Sequence, residues 1–130
     1  AFALKPVAKT MSLSLKVARL AHERGIPCFC ADLTVNPFMV DWNKNVAARL
    51  APLPGLKIGL VESNGAQNYA DWETMKTYHP AYGASWIDMQ GGLFHLDEGF
   101  WERSGAVLET SAYYERLALS GQIQPAGTEV

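Results

Sequence analysis

The sequence predicts an α/β fold built around a parallel sheet, and three apolar segments of strand length carry this prediction. They cover residues 2–5, 26–33 ("IPCFCADL") and 56–62 ("LKIGLVE"). A stretch with helical periodicity separates each segment from the next, so the order is strand, helix, strand, helix, strand. Two consecutive βαβ crossovers of this kind place the strands parallel in one sheet. The middle strand is apolar almost throughout, which is typical of a parallel strand covered on both faces.

The first predicted helix covers residues 11–24. Met11, Leu15 and Ala18 form one apolar stripe and a second stripe adjoins it, as a helix packed on a sheet requires. Thr10 is placed to cap its N-terminus, and Gly25 stands where a left-handed C-terminal residue is expected.

The second predicted helix begins at Pro37, with Asn36 as its N-cap, and runs to about Leu50. Its inward positions are predicted at Phe38 or Met39, Trp42, Val46 and Leu50.

The remainder of the chain predicts an irregular C-terminal segment. It contains a helix over residues 69–78, short extended segments joined by the turn at 91–92, a helix over 111–119 and a frayed end. We therefore divide the chain into residues 1–64 and residues 65–130.

Composition excludes several classes of function. The chain has 130 residues, of which 48% are hydrophobic, and a net charge of −2, which gives no electrostatic reason to expect binding to nucleic acid or an anionic membrane. No apolar run reaches the ~18 residues of a membrane span. The two cysteines, Cys28 and Cys30, are too close along one strand to favour a disulfide, which indicates a reducing, cytoplasmic setting.

Polar residues follow each of the three predicted strands. Lys5 ends the first, Asp32 the second and Glu62 the third, with Asn64 two residues further on. In parallel α/β sheets, chemistry collects at the carboxyl ends of the strands, so these residues are the candidate site. Strand parity also predicts that Cys28 and Cys30 face the same side as Asp32, away from the covering helices.

Each candidate also has a structural interpretation. Lys5 can be a solvated strand-end lysine, Asp32 can cap the turn "DLTVNP", and Glu62 is a turn residue by type. The cysteines are predicted to be small packing residues, because a metal site needs further ligands at suitable spacing.

The segment "FALKPVAKTMSLSLKVARLAHERGIPCFC" resembles the sixth strand, sixth helix and seventh strand of the barrel domain in the enolase superfamily, in its mandelate racemase/muconate lactonizing branch. The features that carry the resemblance are "ALKP", the helix "KVARLAHERGIP" and the strand after it, and "LKIGLVES" then corresponds to the eighth strand. The resemblance implies a parallel βαβαβ segment, the last three βα units of a TIM-type barrel. Such a barrel needs ~250 residues, so we expect a C-terminal fragment that is inactive alone.

The resemblance also implies a chemistry. Members of this superfamily remove the proton alpha to a carboxylate and stabilise the enediolate on Mg²⁺, as racemases, epimerases or lyases. Lys5 matches the acid/base lysine of the sixth strand, and Asp32, Glu62 and Asn64 would bind a small carboxylate substrate. The Mg²⁺ ligands come from earlier strands, so this chain is expected to hold no metal site. The segment "AKTM" replaces the glycines often found after the lysine.

A second function remains open at this stage. The C-terminal half is rich in aromatic residues, and an α/β module without catalysis could use them to bind a partner. The aromatic residues are Tyr69, Trp72, Tyr78, Tyr82, Trp86 and Phe94. A homo-oligomer, or association with the missing barrel half, is expected in either case because the sheet edges are open.

Overall fold

The sheet at the start of the chain is parallel, as predicted. The computed structural model describes residues 1–121, and in it β1 (Phe2–Leu4) pairs in parallel with β2 (Cys28–Cys30). Cys30 also forms a parallel bridge with Val61 on the other side of β2. The lateral order therefore follows the order along the chain, and the mixed helix and strand content with a small parallel sheet confirms the α/β class.

Two helices connect β1 to β2. The short helix α1 (Pro6–Lys9) is followed by α2 (Met11–His22). The Thr10 hydroxyl accepts a hydrogen bond from the backbone N–H of Leu13 at 3.3 Å, which confirms the predicted cap. Gly25 has a φ of +65°, the left-handed conformation expected after the helix.

The predicted third strand over residues 56–62 is wrong in its extent. Only Val61 is paired, through two backbone hydrogen bonds that join Cys30 to Leu60 and Glu62. Gly59 lies against the carbonyl of Ala47, where a Cβ atom would approach to 1.9 Å. The segment is thus fixed by a close approach to a helix and one bridge, and among the described residues no further strand lies beside it to extend the pairing.

The prediction for the cysteine faces is also wrong. Leu4 and Cys28 pack with Ala21 of α2, and Cys30 packs with Val46 and other buried side chains. Both cysteines therefore face the helices. Because cysteine side chains are small, they allow the helices to pack closely on the sheet. The face that the cysteines occupy is therefore set by this packing and not by their parity with Asp32.

The helix after β2 is α3 (Pro37–Ala47), which ends three residues before the predicted Leu50. Asn36 caps it as predicted, because its side-chain oxygen accepts from the N–H of Met39 at 3.0 Å. Val46 is fully buried as predicted, but polar residues are buried with it, so α3 is not a one-sided amphipathic helix. The buried polar residues are Asp41, Asn43, Lys44 and Asn45.

The C-terminal segment consists of short elements, and we give their bounds here in order. They are α4 (Gly65–Asn68), α5 (Trp72–Lys76), β3 (Met89–Gln90), β4 (Leu93–Phe94), α6 (Glu98–Arg103), a 3₁₀ turn (Ser104–Ala106) and α7 (Ala112–Leu119). The predicted helix over 69–78 is shorter than expected, and a separate helix precedes it. The hairpin turn at 91–92 is confirmed. The final helix is also confirmed, and Ser111 is the N-cap of this helix. Of the predicted frayed end, residues 122–130 lie outside the described residues.

The carboxylate of Asp41 joins α3 to the C-terminal segment. One oxygen, Oδ1, lies 2.6 Å from Nζ of Lys44, and the other, Oδ2, lies 3.0 Å from Nε2 of His79. Oδ2 also accepts a hydrogen bond from the indole N–H of Trp86 at 3.1 Å. Asp41 and Lys44 are almost fully buried, and burial lowers the pKa of Lys44 while Asp41 opposes that shift. The two segments therefore share one buried ionic cluster.

A separate apolar core surrounds this cluster on the C-terminal side. Trp86 and Phe100 pack edge to face with ring centroids 5.7 Å apart, and Ala81 and Ala106 complete the cluster. The Asn45 side chain donates to the carbonyl of Ser104 at 2.7 Å, which holds the 3₁₀ turn against α3.

We predict that Asp41→Ala lowers the free energy of unfolding by roughly 3–5 kcal/mol, because the substitution leaves the Lys44 ammonium buried without its partner. Chemical denaturation measures the change. The control is Glu23→Ala, which removes an exposed ion pair with Arg19 and is expected to change stability by at most about 1 kcal/mol. Equal effects of the two substitutions would contradict the central role of Asp41.

Candidate functional site

The Lys5 side chain lies at the carboxyl end of β1, where the chain enters α1. It is half-buried, and its Nζ donates a hydrogen bond to the backbone carbonyl of Asp32 at 3.1 Å. That carbonyl stands just beyond the end of β2. The parallel pairing of the two strands therefore brings Lys5 and Asp32 together, as their positions in the sequence predict.

The Asp32 carboxylate is buried and both of its oxygens accept backbone hydrogen bonds. Oδ1 accepts from the N–H of Val35 at 3.0 Å, and Oδ2 accepts from the N–H of Asn64 at 2.9 Å. Asp32 therefore caps the turn that follows β2, as its structural interpretation predicts. Its second oxygen also fixes the segment after Val61. Substrate binding by this carboxylate remains a prediction.

Glu62 and Asn64 differ in their relation to the site. Asn64 contributes its backbone N–H to Asp32, and its side-chain oxygen is buried with no hydrogen-bond partner among the described residues. The Glu62 backbone bonds to Cys30, but its side chain is exposed and makes no ion pair within residues 1–121. The structure thus gathers Lys5, Asp32 and Asn64, and leaves the Glu62 carboxylate free at the same edge of the sheet.

This arrangement has a defined chemical capacity. An ammonium group that donates one hydrogen bond to a carbonyl keeps two further N–H groups for a ligand. The Lys5 amine can therefore bind an anion or exchange a proton with one. Over the part of the chain that the structure describes, no three His, Cys, Asp or Glu side chains come together to hold a metal ion. The residues present do not fit a Mg²⁺ site.

The buried pair of Asp41 and His79 is the polar constellation that the sequence analysis missed. An imidazole beside a carboxylate is also the arrangement of a general base, and a general base needs a ring nitrogen that can reach a substrate. His79 Nδ1 accepts the backbone N–H of Ala81 at 3.0 Å, which leaves the proton on Nε2, facing Asp41. Nδ1 is engaged by the backbone, Nε2 lies against the Asp41 carboxylate and the side chain is fully buried, so this pair is structural. The i, i+3 spacing of Asp41 and Lys44 is the sequence signal that could have indicated it.

The two cysteines are free and buried, as expected. Burial raises the pKa of Cys30 to about 12. Burial is also the largest cause of the raised pKa of Cys28. A thiol is reactive as its thiolate, so this environment argues against a redox role for the pair.

The aromatic residues do not form one platform. Trp86 is core, Tyr78 stacks within the C-terminal segment, and Tyr69 and Tyr82 are separately exposed. The Tyr69 hydroxyl donates to the carbonyl of Thr34 at 2.8 Å, which anchors it near the Asp32 turn.

Comparison with known proteins adds no family: no family model, curated protein or solved structure matches this chain. None of the helices within residues 1–121 has the length and apolar character needed to cross a membrane.

We predict that Asp32→Ala lowers the free energy of unfolding by roughly 2–4 kcal/mol, because two backbone N–H groups lose their acceptor. Glu62→Ala is the matched control at the same edge of the sheet, and its exposed carboxylate predicts a change within about 0.5 kcal/mol. Urea denaturation of both variants makes the comparison. A loss for Asp32→Ala no larger than that of the control would show that the turn does not depend on this carboxylate.

A second prediction concerns the thiols. Because a raised pKa leaves less thiolate at a given pH, we expect Cys28 and Cys30 to resist iodoacetamide in the native protein at mildly alkaline pH and to react after denaturation. Mass spectrometry counts the added groups. A cysteine placed on an exposed helix position, Ser12→Cys, serves as the reactive control. Rapid native labelling of Cys30 would contradict the burial described above.

Proposed function

We propose that the chain is the C-terminal part of a Mg²⁺-dependent enzyme of the enolase superfamily, a racemase, epimerase or lyase that removes the alpha-proton of a small carboxylate substrate. The observation that carries the proposal is the hydrogen bond from Lys5 Nζ to the Asp32 carbonyl at the carboxyl ends of two parallel strands. The lateral order β1, β2, Val61 also agrees with three successive strands of a barrel.

In this proposal Lys5 is the acid/base. Its amine projects from the strand end where substrate would lie, and the Asp32 carbonyl orients it. Asp32 and Asn64 act mainly as a scaffold, since the Asp32 carboxylate and the Asn64 N–H bind each other. Glu62 is the residue with a free carboxylate, and it would bind a hydroxyl or amino group of the substrate.

The remaining parts of the site lie elsewhere in the proposed enzyme. In this proposal the metal ligands belong to other strands of the barrel. The free thiols support the proposed cytoplasmic setting. Association with the remaining barrel half would cover the apolar side chains that are exposed beside the sheet, such as Phe2 and Ile58.

A partner-binding module without catalysis is the second candidate, and an apolar groove favours it. The groove has a volume of about 750 Å³ and lies between residues 56–61 and the hairpin of β3 and β4. Its exposed apolar side chains include Leu56, Ile58, Met89, Leu93 and Trp101.

The reading frame of the gene separates the two candidates. Upstream strands with spaced carboxylates support the enzyme, and translation that starts at residue 1 supports the module.

The enzymatic proposal is tested by exchange of the alpha-proton in D₂O. The full gene product is incubated with Mg²⁺ and a panel of small carboxylates, and NMR follows the loss of each alpha-proton signal. We expect Lys5→Met to slow exchange by roughly 10²–10⁴-fold, the usual contribution of a positioned acid/base.

Lys9→Met is the matched control, because Lys9 is an exposed lysine of α1 four residues away and should leave the exchange rate unchanged. We also expect the 130-residue chain alone to be inactive. Exchange that survives Lys5→Met, or exchange catalysed by the chain alone, would contradict the proposal.

A further inference from the structure

Two tyrosines in the C-terminal segment form an unusually close stack. Tyr78 follows α5 and Tyr113 lies in the first turn of α7, and their ring centroids are 3.6 Å apart with planes inclined by 5°. Aromatic pairs in proteins prefer offset or edge-to-face arrangements, with centroids roughly 4.5–7 Å apart. The parallel stack is therefore held by its surroundings. The Ser111 hydroxyl donates to the Tyr78 carbonyl at 2.6 Å and fixes the start of α7 against this residue.

The electrostatics of the two phenol groups are linked. A hydrogen bond with the Tyr113 side chain is the largest cause that raises the pKa of Tyr78. Because the planes are parallel and the centroids are 3.6 Å apart, carbon atoms of one ring lie close to carbon atoms of the other.

The stack is partly accessible from a cavity. Both rings are half-buried and line a cavity of about 430 Å³, together with Glu109 and Arg116. Tyr114 is also close, but its ring stands edge-on to both members, at 6.1 Å from Tyr78 and 5.3 Å from Tyr113. The ring faces of Tyr78 and Tyr113 are thus opposed to each other, and both residues remain partly accessible from the cavity.

We propose that Tyr78 and Tyr113 form an oxidative modification site at which a peroxidase-type one-electron oxidant joins the two rings as dityrosine. The inference is independent of the function proposed above. It rests on the stacking geometry and on the access that the cavity gives.

The coupling is a two-electron oxidation of the pair. Each phenol loses one electron to the oxidant and its hydroxyl proton to water, which leaves two phenoxyl radicals with spin on the ortho carbons. The radicals couple to form one carbon–carbon bond, and each ortho hydrogen then shifts to restore the phenol. The pair loses two electrons and two protons in total, and hydrogen peroxide takes them up to give two water molecules. The product ties α7 covalently to the segment after α5.

The test is treatment of the dilute, folded 130-residue chain with horseradish peroxidase and limiting hydrogen peroxide. We expect a monomeric product that is lighter by two hydrogens, shows dityrosine fluorescence and yields a Tyr78–Tyr113 linked peptide on digestion. Tyr78→Phe and Tyr113→Phe should each abolish the linked peptide, while both keep an aromatic ring in the stack.

Tyr82→Phe is the matched control, because Tyr82 is 59% exposed and lies outside the stack. It should leave the yield of the linked peptide unchanged, whereas prior unfolding in urea should suppress it. Linkage that maps to other tyrosines, linkage mainly between chains, or the lack of any linkage in the folded wild type would each overturn the proposal. Because the peptide map of the wild type decides the matter, a variant that fails to fold does not leave it open.

Discussion

The ionic cluster at Asp41 is the interaction on which the rest of the structure depends. A buried carboxylate must have its charge balanced and its oxygens contacted by polar hydrogens, because leaving either unsatisfied in a protein interior is costly. Asp41 meets this requirement through Lys44 on the same helix and through His79 and Trp86 of the C-terminal segment. The Asp41 carboxylate therefore has all of its polar contacts only when the C-terminal segment packs against α3. The same cluster explains why α3 has polar residues such as Asp41 and Lys44 at buried positions.

The position of α3 also determines the geometry of the candidate site. The turn from β2 into this helix is closed by Asp32 at one end and by Asn36 at the other. Because α3 is held from the C-terminal side by Asp41, the turn has little freedom, and the Asp32 carbonyl is presented to Lys5 in a defined direction. Gly59, which contacts the last turn of α3, brings the segment before Asn64 to the same place. The site is thus positioned by packing that lies outside it.

Local signals made much of the fold predictable and long-range ones did not. The strand before Lys5, the helix capped by Thr10 and the caps at Asn36 and Ser111 follow from residue types within a few positions of one another. The extent of the third strand depends on a neighbouring strand, and the contacts of Asp41 with His79 and Trp86 join residues about forty positions apart, so no local pattern encodes either of them. Within the site, the juxtaposition of Lys5 and Asp32 follows from parallel strand order alone. The hydrogen bonds that both Asp32 oxygens accept from the backbone depend on the conformation of the folded turn, so they could not be predicted from the sequence.

These contacts separate the polar groups that can act on a ligand from those that cannot. Asp32 and Asp41 are both buried carboxylates, and the hydrogen bonds and ion pairs that hold the fold occupy their oxygens. A group already engaged in this way gains little by binding substrate, since each new bond would replace an existing one. Lys5 retains N–H groups beyond the one given to Asp32, and Glu62 retains its carboxylate. In the proposed function the Lys5 amine is therefore the proton donor or acceptor, and the Asp32 carbonyl is the group that orients it.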